Sequence, residues 1–584
     1  MSARLGRLVL GLALVAHAGL ALHTLRGNSA TFDEGAHLPA GYTHLALGDH
    51  RLNPEQPPLV KVLAAAPLLP LRPVVRTDHV AWTAARQWEF GRRFLYAWND
   101  GDRLLLLGRL PVVALSIALV AAVFWRARQL AGTEAAVVAT VLAALSPELL
   151  AHGTLVTTDL AVSLFVFLAV AAFDRLSARA TPGALLAAGL AAGAAVASKF
   201  SGLVLVPLLP ILGAVVVAGD ERVETALVGG AVRPVEGTTR RARHVALLLI
   251  ATAGVALATL WASYGFESEL SPDPQVRARL SAPLEEANGG WPGALAAAAD
   301  AGLVPEDFAR GLLFVMTHSE RRPTFLLGRI DDDGFPHYFL VTFLVKTPLP
   351  LLLLVALAVA RVSRLAPRTA AFVWMPVVVY VGLTAGRGLQ IGHRHLLPIL
   401  PFLLVAAGEA GVRLLRWRRP AGALLLAGLG LWYAAGTLRT HPHHLAYFNE
   451  IAGGPSNGWR VLVDSNLDWG QDLKRLKTWM DAHGVSRVKL SYFGSADPAY
   501  YGIDCERLPG YAAPHPPRVT RTIRPGDVVA VSATNLQGVY LEPEDRPMME
   551  RLRGEAPIGR AGWSILIFRP DFEWPPPAGP GPAE

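Results

Sequence analysis

An adjacent acid pair, Asp33 and Glu34, stands in the run Thr31-Phe32-Asp33-Glu34-Gly35-Ala36-His37, a few residues beyond an apolar stretch. Two neighbouring carboxylates beside apolar surface repel and desolvate one another, which makes a general base or a metal ligand of at least one. Asp is also a favoured helix cap, so a structural reading stands beside the chemical one. A third acid, Asp159, opens an apolar helix after Leu149-Leu150-Ala151-His152-Gly153-Thr154-Leu155-Val156-Thr157-Thr158. At that depth an acid needs a partner or water, unless it merely caps its helix. Lys346, in Phe343-Leu344-Val345-Lys346-Thr347-Pro348, puts an ammonium inside an apolar helix. It requires an anion, for which a lipid phosphate serves, or it snorkels to the headgroups. Gly392-His393-Arg394-His395 adds cationic donors, and the arginine fork suits bidentate phosphate contact.

A second group is a loop. Gly48 to Lys61 is polar and pinned by Pro54, Pro57 and Pro58, so with His37 its residues Asn53, Glu55 and Lys61 are candidates for shaping a pocket. The apolar stretch Val62 to Leu71 is too short to span and is expected to lie along the membrane interface. Asp331-Asp332-Asp333 reads as a solvated loop before it reads as a cation site, and His441-Pro442-His443-His444 as a surface turn. No metal-ligand set is assigned, and a divalent cation (Mg²⁺ or Mn²⁺) stays open.

Elements that position such residues follow from composition. Of 584 residues 52% are apolar and 17% charged, well below the roughly 25% charge of soluble chains, which argues against a cytosolic enzyme. Apolar runs beginning near Leu5, Leu104, Thr133, Asp159, Pro182, Gly202, His244, Tyr338, Thr369, His395 and Ala421 predict about eleven transmembrane helices, the first an uncleaved span. The net charge of +8 sits in short clusters between these runs, a topology signal rather than a nucleic-acid face. The single Cys505 excludes an intramolecular disulfide and a Cys-rich zinc site.

With the N-terminus inside, Arg126 and Arg128, Arg175 and Arg179, Arg240 to Arg243, Arg361 to Arg368, and Arg413 to Arg419 all fall on the inner side. The same parity places Arg26–Arg103, Ser146–Thr158, Gly265–His337, Gly386–His395 and the tail after Thr440 outside, so every candidate residue opens on one face. The expected fold is mainly α, a polytopic membrane protein with a small C-terminal soluble α/β domain. Residues 1–439 form the membrane domain, with outer loops 26–103 and 265–337. Residues 440–573 form the α/β domain, with strands at Val488–Tyr492, Asp527–Ser532 and Ser564–Phe568 and a helix at Asp468–Ala482. Residues 574–584 form a Pro-rich disordered tail.

In order and sidedness these motifs resemble bacterial membrane glycosyltransferases of the GT-C superfamily, family 39, similar to protein mannosyltransferases and aminoarabinose transferases. The likeness rests on Asp33-Glu34, Asn53-Pro54-Glu55-Gln56-Pro57-Pro58, Asp159, Lys346-Thr347-Pro348 and Gly392-His393-Arg394-His395. It extends to His444-Leu445-Ala446-Tyr447-Phe448-Asn449-Glu450 and Val463-Asp464-Ser465-Asn466-Leu467-Asp468-Trp469-Gly470-Gln471-Asp472. Gln56 stands where relatives often carry His. The resemblance implies a polyprenyl-phosphate-linked sugar donor, an acceptor hydroxyl on a protein, lipid or glycan, and inversion at the anomeric centre. It implies Asp33 as base with Glu34 beside it, Asp159 orienting the acceptor or the base, and Lys346, His393 and Arg394 on the donor phosphate. The expected setting is a bacterial inner membrane with the tail outside. A transporter or lipid flippase, and a non-catalytic lipid-phosphate binder, are the alternative readings.

Overall fold

The computed structural model describes residues 2–227, 232–267, 269–318, 322–385, 389–511 and 518–576. Each of the eleven predicted starts falls on a helix. Among the described residues, seven helices are long and apolar enough to cross a membrane, eight if one bent pair is counted as a span. The difference from eleven has local causes. The Leu104 and Thr133 starts fall on two helices that meet at a kink at Gly132 within Gly101–Ala144 and together count as one span; only glycine adopts the φ of 85° at that kink freely. Pro182–Ser198, at 17 residues, is short for a span, and helix Pro367–Ala385, on which the Thr369 start falls, is not among those that qualify. The bent pair, Tyr338–Lys346 and Leu349–Val359, turns through 117° because Pro348 forces Thr347 into extended backbone (ψ 130°) and offers no N–H. Lys346 is therefore the last residue of a half-helix.

The C-terminal region carries a five-stranded sheet in the order Asp504–Arg507, Arg487–Ser491, Val529–Ser532, Ile565–Phe568, Gly559–Ala561. Its first two pairings are parallel and its last two antiparallel. The three predicted strands are present; the two edge strands are additional, and neither has the run of β-branched residues that reveals a strand by composition. Helix Leu473–Ala482 covers one side with Leu473, Leu476 and Met480. Of the Pro-rich end, Trp574 exchanges two backbone hydrogen bonds with Ile523, which ties down a residue expected to be free, and residues 577–584 lie outside those described. Residues 386–388 of the expected Gly386–His395 turn also lie outside them. His444 is fully buried rather than on a surface turn, in a line of imidazoles with His441 and His23 (3.0 and 2.6 Å).

The region of the acid pair is held from below by Arg109. Its guanidinium, 2% exposed, makes a two-pronged bond to Glu34 (2.8 and 2.7 Å) and donates to the carbonyls of Leu25, Asn28 and Ser29. Glu34 also accepts from the Thr31 amide and hydroxyl and from the Val156 amide. Burial pushes the Glu34 carboxyl up, but Arg109 and these amides bring it below its usual range, so it stays charged. One ion pair thus ties together the end of the first span, helix Glu34–Leu47, the long span and the turn before Asp159.

Helix Glu34–Leu47 is also approached closely on two sides. A Cβ at Gly91 would overlap the Gly35 carbonyl oxygen, and one at Gly41 the Lys61 carbonyl. The tail closes over the top: Phe32 and Ser29 donate to Trp469 and Gln471 carbonyls (2.8 and 3.0 Å), and Ser495 donates to Phe32.

Two stability outcomes follow. Glu34→Gln leaves a buried guanidinium without its countercharge and is expected to cost about 3–5 kcal/mol, read as a fall in the thermal midpoint of the detergent-solubilised protein. Gly91→Ala must push helix Gln87–Tyr96 off its neighbour, at about 1–3 kcal/mol. Unchanged midpoints for either variant would contradict the tight fit described.

Candidate active site

Asp33 and Glu34 are adjacent in the chain and turn opposite ways. Glu34 is fully buried on Arg109, whereas Asp33 keeps 23% of its side chain exposed and receives Arg394 at 2.7 Å. Asp33 makes no side-chain capping bond to helix Glu34–Leu47, so the capping alternative is not realised. The same Arg394 nitrogen lies 3.6 Å from Asp159, whose other oxygen takes Lys199 at 2.5 Å. The result is an alternating row, Asp33, Arg394, Asp159, Lys199, across the ends of four segments far apart in sequence. Trp469 from the tail lies flat under the Arg394 guanidinium, 4.2 Å from its carbon. Such stacking and pairing lower the cost of a buried arginine while leaving its Nε without a partner.

Lys346 and His393 form a neighbouring cluster. The Lys346 ammonium, 1% exposed, donates to the carbonyls of Leu445 and Asn466 (2.8 and 2.7 Å), lies 3.5 Å from Glu148, and sits over the Phe448 ring. It does not snorkel. Glu148 in turn lies 3.5 Å from His152, and the charges of Lys346 and the nearby histidines hold its carboxyl down at about 2 despite burial. His393 donates its backbone amide to Asn466 and keeps a buried Nδ1 without a partner. The edge of Trp469 meets His152 at 6.2 Å between ring centres, so the two clusters share that indole.

The Pro-pinned loop lies on the flank. Lys61 donates to the carbonyls of Asn53 and Gln56, and Asn53 and Gln87 both bond Glu55. Burial brings the Lys61 ammonium down to about 8. His37 bonds the Val156 carbonyl at 2.9 Å and faces Asp33, and burial lowers its pKa. Thr158 donates to the Gln56 side chain (3.2 Å), joining this loop to the residue before Asp159. Helix Leu59–Ala65 runs on as a tighter turn to Leu71, short of a span as expected.

Several residues here were not singled out from the sequence. Arg109 and Lys199 are lone cations at apolar helices, the signal used for Lys346, and it would have found them. Trp469 and Asp464 give no such signal, because only the tail's return over the bundle brings them in, and Glu148, on helix Pro147–His152, is joined to the site by Lys346 from another helix and by His152 one turn on in its own. Asp464 has a left-handed φ of 57°, accepts from Tyr540 at 2.5 Å, and is pushed up by burial, with Arg394 among the charges facing it. Beside Asp33, Phe32 packs on Trp88, Phe493 and Tyr511, an apolar wall 4.9–5.7 Å away ring to ring.

The cluster does not fit a divalent cation, because Asp33 and Asp159 already face Arg394 and Lys199. Among the described residues no three His, Cys, Asp or Glu side chains converge as metal ligands, and Asp331–Asp333 are exposed.

No curated protein sequence matches the chain. Among solved structures, ArnT from Cupriavidus metallidurans bound to undecaprenyl phosphate aligns over 97% of this chain and 98% of its own, at 12% identity and a TM-score of 0.45. The archaeal oligosaccharyltransferase AglB from Archaeoglobus fulgidus, in complex with an inhibitory peptide and a dolichol-phosphate, aligns over 98% and 75%, at 12% and 0.44. The S. cerevisiae protein O-mannosyltransferase Pmt1-Pmt2 complex bound to the sugar donor aligns over 46% and 34%, at 19% and 0.34. A family model described as dolichyl-phosphate-mannose-protein mannosyltransferase matches residues 103–227. The segment 103–227, which holds Arg109, Asp159 and Lys199, is thus similar to the dolichyl-phosphate-mannose-protein mannosyltransferases.

Proposed function

We propose that the protein transfers a sugar from a polyprenyl-phosphate-linked donor to an acceptor hydroxyl, with inversion, at the outer ends of its spans. The observation that carries this reading is the division of the acid pair: one carboxylate is saturated and buried, and its neighbour is reachable and held by a single arginine. In the resting state Arg394 neutralises Asp33. An arriving donor phosphate competes for the same guanidinium and frees Asp33 to take the acceptor proton. The acceptor oxygen then bonds the anomeric carbon from the face opposite the phosphate. The carbon–oxygen bond to phosphate breaks with its electron pair, and the leaving lipid phosphate carries a charge that Arg394 and His393, with Lys346 nearby, stabilise. Asp159, fixed by Lys199, orients Arg394 and the acceptor. His37, Asn53, Glu55 and Lys61 shape the flank, and the aromatic wall excludes water. The positive-inside pattern supports an N-terminus inside and a tail outside, and the setting, read from the resemblance, is a bacterial inner membrane. The sugar is a hexose or pentose, and the acceptor a protein, lipid or glycan.

The test is transfer of radiolabelled sugar from polyprenyl-phosphate donors to endogenous acceptors in membranes holding matched amounts of wild type or Asp33→Asn. Asp33→Asn is expected to lower transfer by about 10²–10⁴-fold with an unchanged thermal midpoint. Equal transfer by the two would remove Asp33 from the chemistry.

A further inference from the structure

At the opposite end of the bundle lies a cavity of about 330 Å³. It is bounded by the end of helix Leu349–Val359, the start of helix Pro367–Ala385, the last turns of helix Leu400–Arg416, and the break in the long span near Leu130. Four guanidinium groups line it: Arg361, Arg364, Arg413 and Arg416. Two are balanced, Arg413 by Glu409 at 2.5 Å and Arg416 by Glu134 at 2.9 Å. Arg361, half-buried, and Arg364, exposed, have no carboxylate within ion-pairing distance among the described residues, so the cavity carries an excess of positive charge. The wall also holds Trp374, whose buried indole N–H has no hydrogen-bond partner. An orphaned donor of this kind is costly unless an acceptor joins it.

The rest of the wall is apolar, including Ala358, Val373 and Val405, and the residues flanking the lining, Val359 and Trp417, are about half exposed (51% and 54%). The cavity therefore asks for an anion at one side and hydrocarbon at the other. Its volume lies at the lower end of the range for small-ligand sites. A soluble anion satisfies only the cations; a phosphodiester bearing acyl chains satisfies both, and basic pockets between spans on the positive-inside face hold such headgroups. We propose that this cavity seats the phosphate of an anionic phospholipid, contacted by Arg361, Arg364 and the Trp374 N–H, with its acyl chains running along the apolar wall. The site is independent of the Asp33 chemistry and on the other membrane face.

The experiment is native mass spectrometry of the purified full-length protein, stripped of lipid in detergent and titrated with phosphatidylglycerol, phosphatidylcholine or inorganic phosphate. The wild type is expected to retain phosphatidylglycerol about tenfold more tightly than phosphatidylcholine. Arg361→Gln with Arg364→Gln removes that preference, while the Lys/Lys pair keeps most of it. Trp374→Phe, which removes the N–H while keeping an aromatic ring, weakens phosphatidylglycerol by roughly tenfold without changing the count of charges, and serves should the double variant fold poorly. Retention of the preference in the Gln/Gln pair, or in Trp374→Phe, overturns the proposal. So does inorganic phosphate that displaces phosphatidylglycerol at equal concentration, since the site would then be one for a soluble anion.

Discussion

Arg109 buries a guanidinium among apolar helices, and one end of the bundle is organised around meeting its demands. Five N–H groups and a positive charge must all be matched, and the matching set comes from Glu34 and from three carbonyls at the end of the first span. Because the partners belong to separate segments, satisfying one side chain fixes their relative positions to within a hydrogen bond. The Val156 amide on Glu34 extends the constraint to the turn that precedes Asp159. A buried pair of this sort is poor evidence of net stability but a strong selector of one arrangement over others.

That arrangement is what leaves Asp33 available. Consecutive residues at a helix start point in different directions, so fixing Glu34 inward presents Asp33 to the cleft where Arg394, Asp159 and Lys199 alternate in charge. The tail completes the cleft. Trp469 underlies Arg394, and the Leu445 and Asn466 carbonyls occupy Lys346 at the end of its half-helix. A cation that would otherwise need a mobile anion is thereby given fixed dipoles beside the Glu148 carboxylate, and the tail is locked onto the membrane region by the same carbonyl contacts. The segment His393–Arg416 spans the bundle from this cleft to the cationic cavity on the far face, with Arg394 at one end and Arg413 and Arg416 at the other.

The helix starts, the gathering of the polar motifs at one end of the bundle and three strands of the tail were legible in the sequence, because each depends on residues close together in the chain. A run of apolar residues needs about 30 Å of hydrocarbon or a partner surface, a lone charge inside it needs a counterpart, and alternating apolar residues mark a strand. Asp33, Asp159, Lys346, His393 and Arg394 were found by this reasoning, and the structure gathers them into two adjoining clusters. The same reasoning overlooked Arg109 and Lys199, which give the same local signal as Lys346.

The tertiary structure alone decided which acid of the pair is buried, that Lys346 is met by two carbonyls and Glu148, and that Trp469, Glu148 and Asp464 lie beside Asp33, Arg394 and Lys346. It decided also that Pro348 breaks an apolar run that hydropathy alone reads as a span. Hydrophobicity is a property of a residue and its neighbours in sequence. The partner that satisfies a buried charge is chosen by packing between segments, 361 residues apart for Asp33 and Arg394, and no local pattern encodes that choice.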